Sequence, residues 1–184
     1  RMNLRRLGAE ALRDSVIAVS GQANYRMGGP PIMLKATPSG LQTVVDQERR
    51  SIYLLARRSN PVTFLRVFDY PIIDVNCTLR SSSATPLQSL TMINSKFLTD
   101  NANRLARRVE ALVGSDASLA KKIEAAYWIT LSRNSSTTEV KAAERHLQHL
   151  KQLYEASGDA DAPRRSFENF VHMLLCSNEF LYIY

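Results

Sequence analysis

Thr85-Pro86-Leu87-Gln88-Ser89-Leu90 is the stretch on which the reading of the fold turns. Threonine, then proline at the first helical position, then glutamine three residues on, make a capping box. Hydroxyl and amide side chains meet backbone N–H groups that the first helical turn leaves free, and proline has no N–H to lose there. Everything downstream carries signals of the same kind. The helix opened at Thr85 ends near Asn94. Ser95 caps the next, with Phe97, Leu98, Leu105, Val109 and Leu112 at core spacing and Gly114 as its stop. Asp116 starts another, with Leu119, Ile123, Ala126 and Leu131 on one side. Ser136-Thr137-Thr138-Glu139 is a second capping box. Behind it Val140, Ala143, Leu147, Leu150 and Tyr154 recur at steps of three and four, a narrow seam for a neighbouring helix. Gly158 to Pro163 reads as a loop, and Ser166 as the cap of a last helix with Phe167, Phe170, Val171, Leu174 and Leu175 inward. Asn178 to Tyr184 is apolar enough to dock on the core.

Upstream of Thr85 the pattern changes. A first helix is expected from Leu4 to Ser20, with Leu7, Ala11, Val16 and Val19 on one face and Gly21 ending it. Gln22 to Ala84 shows little helical period. Gly28-Gly29-Pro30-Pro31 must turn and then extend. Ile32-Met33-Leu34 and Leu41 to Val45 are short strand candidates around a Pro38-Ser39-Gly40 turn. Ser51 to Ala56 is a continuous apolar run between arginine pairs, and its period fits strand and helix equally. Four or five helices joined by short loops pack antiparallel. The expected fold is therefore mainly α: an antiparallel bundle of about five helices with a long irregular segment wrapped on one side. Residues 1–184 read as a single domain, with the first helix at 1–21, the irregular segment at 22–84 and the bundle at 85–184.

A chain of 184 residues with 45% hydrophobic side chains buries a core without staples. It contains no run of about 18 apolar residues, so no membrane span is expected. It opens Arg1-Met2-Asn3 inside a helical pattern and reads as a piece of a larger protein, so the lack of a basic-then-apolar leader says little about its address. The net charge is +7, carried by 18 arginines and only 6 lysines. Residues 1–92 hold 12 basic and 6 acidic side chains, so any anion-attracting surface belongs to the N-terminal half. The competing reading is that these arginines, with their planar forks, tie loops to helices through internal ion pairs. The two cysteines, Cys77 and Cys176, have no metal spacing and read as spare buried thiols.

The irregular segment has its own order of motifs. Arg49-Arg50-Ser51-Ile52-Tyr53 is followed by Phe68-Asp69-Tyr70-Pro71, Cys77-Thr78-Leu79-Arg80, Thr85-Pro86-Leu87-Gln88-Ser89-Leu90 and Ile93-Asn94. Ala9-Glu10-Ala11-Leu12-Arg13-Asp14 and Gly28-Gly29-Pro30-Pro31 precede them, and Asn178-Glu179-Phe180-Leu181-Tyr182 closes the chain. This order resembles the planctomycete-specific C-terminal domain family of unknown function, over nearly the whole chain. The resemblance implies a domain of a large exported protein that carries cytochrome-c-like domains elsewhere, and hence an extracytoplasmic address. No Cys-x-x-Cys-His occurs here, so no c-type haem and no other cofactor is expected. Two departures stand out. Arg133-Asn134-Ser135-Ser136 lacks the proline that the family shows there but keeps a capping hydroxyl. Cys176 stands where the family has asparagine, which argues against a family-wide Cys77–Cys176 bridge.

No residue qualifies as catalytic or metal-binding. His146 and His149 are three apart on a helix with no third ligand near, whereas zinc requires three or four. His172, between core positions, reads as hydrogen-bonded and semi-buried. Cys77 has no histidine within the first 145 residues to act as its base. The candidate ligand-binding residues are Arg50, Arg57, Arg58, Asp69, Arg80 and Glu179. Arg50, Asp69, Arg80 and Glu179 are charges inside apolar stretches. If they converge, they form either a buried network pinning the irregular segment or a small polar pocket for an anion or carbohydrate. Arg57-Arg58 and Arg104/Arg107/Arg108 could fork onto phosphate or sulfate. Aromatics interleaved with bases, the mark of nucleic-acid binding, are missing. Three functions follow. The first is a non-catalytic structural or interaction domain whose partners are other domains of the same protein. The second is a module for acidic or sulfated polysaccharide. The third is part of an enzyme site completed elsewhere, with Asp69 and Glu179 as acid and base.

Overall fold

The computed structural model describes residues 4–46, 48–57, 59–71, 77 and 79–183. It is mainly helical, at 56%, with eight helices among the described residues and two small two-stranded sheets. In chain order the elements are β1 (Arg5–Arg6), α1 (Ala9–Val19), β2 (Leu34–Ala36), β3 (Gln42–Val44), a single 3-10 turn at Ser51–Tyr53 and α2 (Thr63–Val67). There follow α3 (Pro86–Asn94), α4 (Lys96–Val113), α5 (Leu119–Leu131), α6 (Thr137–Ala156), α7 (Ala162–Leu175), α8 (Asn178–Leu181) and β4 (Tyr182–Ile183).

The bundle is α4 to α7. Each helix packs on the next in sequence, and α7 returns against α4. Its centre is Leu98, Leu105 and Val109 of α4, Ile123 and Ala126 of α5, and Phe170, Val171 and Leu175 of α7, all fully buried. Complete burial of such a large side chain contributes about 1.5–3 kcal/mol. From α6 only Ala143 and Leu147 are buried, so its seam is shorter than the spacing of Val140 to Tyr154 implies. In α4 the core row steps from Val109 to Val113 rather than to Leu112, which is 66% exposed.

Both capping signals work. The Ser136 hydroxyl accepts the Glu139 N–H (3.2 Å), and Glu139 accepts the Ser136 N–H (2.7 Å). The Gln88 amide oxygen accepts the Thr85 N–H at 3.3 Å. Ser95 accepts from the Leu98 N–H at 3.2 Å. Two helix starts differ from expectation. Ser118, not Asp116, caps α5. The last long helix begins at Ala162 rather than after Ser166. Pro163 sits in its first turn, where a missing N–H costs nothing, and Ser166 lies inside the helix, bonded to the Ala162 carbonyl.

The N-terminal helix is also shorter than its pattern. Leu4 to Leu7 is extended: Arg5 pairs with Ile183 and Arg6 with Tyr182, antiparallel, and the Leu7 N–H meets the Leu181 carbonyl at 2.8 Å. Residues 5–7 and 181–183 thus lie side by side. Helix α1 buries Ala9, Leu12, Arg13, Val16 and Ile17, which leaves Ala11 on the outer face. It closes at Gly21 (φ 78°), where the Gln22 N–H reaches the Ile17 carbonyl and the Gly21 N–H reaches Ala18, a Schellman end that needs a left-handed residue.

The segment between α1 and α3 is more ordered than expected. β2 and β3 form the anticipated hairpin, register Leu34↔Val44, around Pro38-Ser39-Gly40. Ser51 to Ala56 resolves into the 3-10 turn and an extended Leu54 that bridges Ile32. A short helix, α2, was not anticipated. Its Thr63 hydroxyl accepts the Gln42 N–H of β3 (2.9 Å). Ile32, Val44, Val62, Phe64, Leu65 and Phe68 join the same apolar core as the bundle residues.

Candidate functional site

Three arginines organise the polar clusters of the molecule, two where the N-terminal segment meets the helices and one at the turn between α5 and α6. The first is Arg13, on the buried face of α1 and 2% exposed. Its Nη1 donates to the Arg49 carbonyl (2.9 Å) and the Ser51 hydroxyl (3.2 Å), and it lies 3.5 Å from Asp14 Oδ1. Asp14 in turn accepts the Ser51 N–H (2.7 Å) and hydroxyl (2.6 Å). The Arg13 guanidinium also sits over the Phe97 ring at 5.8 Å. Burial pulls its pKa down, opposed by Asp14 and Asp46. This cluster fastens Arg49–Ser51 to α1 and α4. Arg49 then holds the next loop: its guanidinium stacks 4.1 Å over Tyr53 and donates to the Gly28 carbonyl at 2.6 Å, so Gly28-Gly29-Pro30-Pro31 is gripped from behind.

The second is Arg6 on β1, whose side chain is 4% exposed. It donates to Asp69 Oδ2 (2.7 Å), the Phe68 carbonyl (3.1 Å) and the Ser83 carbonyl (2.9 Å). Asp69 also accepts the Ser83 N–H (2.8 Å) and hydroxyl (2.9 Å). Partial burial works to raise the Asp69 pKa, but the Ser83 hydrogen bonds and Arg6 outweigh it and hold the carboxyl below its usual range. Asp69 has φ 62°, a left-handed conformation that Asp tolerates better than most residues. Gln88 completes the cluster, donating to the Val67 carbonyl and the Ser83 hydroxyl, both at 3.1 Å.

The third is Arg133, at the turn between α5 and α6. It bonds Glu139 through Nη1 (3.0 Å) and Nη2 (2.6 Å), bonds Glu179 of α8 through Nε and Nη2 (2.8 Å for the latter), and covers the Tyr127 ring at 5.2 Å. Arg133 first, then Ser136, hold the Glu139 pKa down to about 2, and Arg133 also lowers Glu179. Both carboxylates are depressed on folding. Their stabilisation is therefore complete above the ordinary value of 4.5 and is lost as pH falls through the lowered values, about 2 for Glu139. Thermal melts between pH 7 and 2 are expected to show a drop below pH 4.5 that is smaller in Glu139→Gln. An unchanged acid profile would show that this clasp does not contribute.

The charges singled out in the sequence do not converge. Arg50 is exposed and lies 3.7 Å from Asp14; Arg80 reaches Glu10 of α1 at 2.8 Å; Asp69 belongs to the Arg6 cluster and Glu179 to the Arg133 cluster. The single buried network or pocket expected on their converging is therefore not formed; the four sit in separate ion pairs. Arg57 is exposed, and Arg58 lies outside the described residues. Arg108 caps the C-terminus of α1 by donating to the Ala18 (3.0 Å) and Val19 (2.7 Å) carbonyls; Arg104 is 3.8 Å from Glu48. His172 is half-buried, with Nε2 2.9 Å from the Met92 carbonyl. Among the described residues no three His, Cys, Asp or Glu side chains gather as a metal site, and no helix is long and apolar enough to cross a membrane. Both cysteines are free. Cys77 is exposed, contrary to its reading as a buried thiol; Cys176 is half-buried, and burial raises its thiol pKa to about 11, which disfavours the thiolate.

The clusters of Arg6 and of α8 border a cleft of about 460 Å³. Arg6, Gln88, Met92, Leu181 and Tyr182 line it, with Cys176 and Asn178. One wall is α3, and α3 is unusual: only Gln88 and Met92 of its nine residues are buried. Leu87 (58%), Leu90 (54%) and Ile93 (57%) are left to solvent, and Pro86, Ser89 and Ile93 form the cleft wall.

Sequence reasoning missed Arg6, Arg13 and Arg133 as the organisers. Arg13 had a signal, since it falls on the Ala9–Leu12–Val16 core face of α1. The exposed leucines of α3 also had one, because Leu87, Leu90 and Ile93 follow a helical period on a helix too short to bury both sides.

These features define a helical-bundle domain with an arginine-clamped N-terminal segment. The chain belongs to the PSD1 family, described as a protein of unknown function (DUF1553), which matches residues 1–147. No curated protein and no solved structure matches it.

Proposed function

We propose that this is a non-catalytic interaction domain of a larger exported protein, docking onto other domains of that protein through α3. The observation that carries the reading is the α3 face: three large apolar side chains, each more than half exposed, on one short helix beside a cleft. Exposed apolar side chains are ordinary one at a time; a contiguous strip against a cleft marks a surface made to be covered. The family resemblance supports the exported setting and the cytochrome-c-like neighbours. Replacing Leu87, Leu90 and Ile93 together by serine is expected to leave the melting temperature nearly unchanged, since these side chains bury little in the isolated chain, and to abolish association with the neighbouring domains. Retained association, measured by calorimetry between separately produced parts, would refute the reading.

A second reading, binding of acidic or sulfated polysaccharide, keeps the support of the +7 charge and of exposed Arg26, Arg57 and Arg107. Against it, Arg50 and Arg80 pair with Asp14 and Glu10. Retention on a sulfated resin is expected to disappear at modest salt and to show no glycan preference, as for unspecific charge.

A further inference from the structure

We infer that the cleft between α3 and the β1–β4 ribbon is a socket for an uncharged peptide segment, with one large apolar side chain inserted beside Tyr182 and the peptide backbone running along α3. This rests on the interaction reading above and names its partner's chemistry.

Charge is the first argument. Arg6 is the one charged side chain among the described residues lining the cleft, and Asp69 neutralises it at 2.7 Å. A charged ligand would give up its hydration and meet no counter-charge. The Arg6 guanidinium is itself spent on Asp69 and on the Phe68 and Ser83 carbonyls, so it offers an incoming anion no free fork. The other polar side chains, among them Thr85, Gln88, Ser89, Asn178 and Tyr182, are neutral and sit with apolar Met92, Ile93 and Leu181. That combination receives an apolar side chain and satisfies an amide backbone.

Shape is the second. The register places Arg6 directly opposite Tyr182, so the two side chains stand on the same face of the ribbon, and both line the cleft. The opposite wall, Ile93, belongs to the exposed strip that continues through Leu90 and Leu87. A compact small molecule would fill the cleft and leave the strip bare; an extended peptide covers both.

The test is nitrogen–proton correlation spectroscopy of the whole chain. The probes are short Gly/Ser/Asn peptides bearing one Leu or Phe, the same peptides with Asp or Lys beside the anchor, and maltotriose as a neutral carbohydrate. Saturable shifts at Ser89 and Asn178 are expected with the neutral peptides. They should weaken when a charge is added. They should vanish in Ser89→Trp, which fills the cleft from an exposed position, and fall about tenfold in Ser89→Lys, which sets an unmatched charge at its edge. Absence of saturable shifts with neutral peptides, or equal or stronger response to charged peptides or maltotriose, would overturn the inference. Shifts confined to Leu87 and Leu90 that persist in Ser89→Trp would also overturn it while leaving the α3 docking surface intact.

Discussion

Arg13→Ala is expected to destabilise the chain by about 3–5 kcal/mol, the cost of removing one partner from a buried charged cluster. Arg13 is the largest fully buried side chain of the core, and its loss does three things at once. It leaves a cavity against Phe97, frees the Arg49 carbonyl, and removes the cation beside Asp14. Asp14 retains its bonds from Ser51 and some solvent contact, which keeps the penalty at this level and not above it. Arg13→Met restores most of the volume and none of the donors, so its loss should be about half as large. Urea unfolding of the three proteins measures both. Losses below about 1 kcal/mol in both variants would mean that the N-terminal segment is not fastened through this cluster.

Asp69→Ala is expected to cost about 3 kcal/mol or more, because it strands the buried Arg6 guanidinium. It also removes the acceptor of the Ser83 N–H and hydroxyl and puts a Cβ-bearing residue without a helpful side chain at φ 62°. Asp69→Asn keeps an acceptor oxygen and a residue type suited to the left-handed region, so it should cost less. The ordering separates charge from conformation: Asp69→Gly relieves the backbone but not Arg6. Should Asp69→Gly match the wild type in stability, backbone strain and not the ion pair would be the quantity that matters.

How much of this was legible in the sequence follows from which signals are local. Capping boxes are local, and those at Thr85 and Ser136 place two helices within a residue of where they lie. The β2–β3 hairpin was legible for the same reason, its turn residues being adjacent in sequence. The strand at Arg5–Arg6 was not, because its partner is Tyr182–Ile183 at the far end of the chain, and without that partner Leu4–Leu7 continues the helical period of α1. The site shows the same division. Asp69, Arg80 and Glu179 stood out as charges in apolar stretches and are indeed held in ion pairs. Their partners Arg6, Glu10 and Arg133 lie 46 to 70 residues away, and nothing in local pattern assigns them. The exposed strip on α3 is ambiguous from sequence because Leu87, Leu90 and Ile93 look like core residues until Met92 and Gln88 are seen to occupy the buried side.

Arginines tie the N-terminal segment and the helix ends together, and the surface we propose for docking is the apolar face of α3. Hydrogen exchange of α3 amides, compared between the isolated chain and the same chain within the longer exported protein we propose, tests it most directly. Slower exchange at Leu87–Asn94 in the longer protein, with the exposed β2–β3 hairpin unchanged, is the expected result. Equal exchange at α3 in both, or slowing confined to the arginine-bearing loops around Arg50 and Arg57, would contradict it.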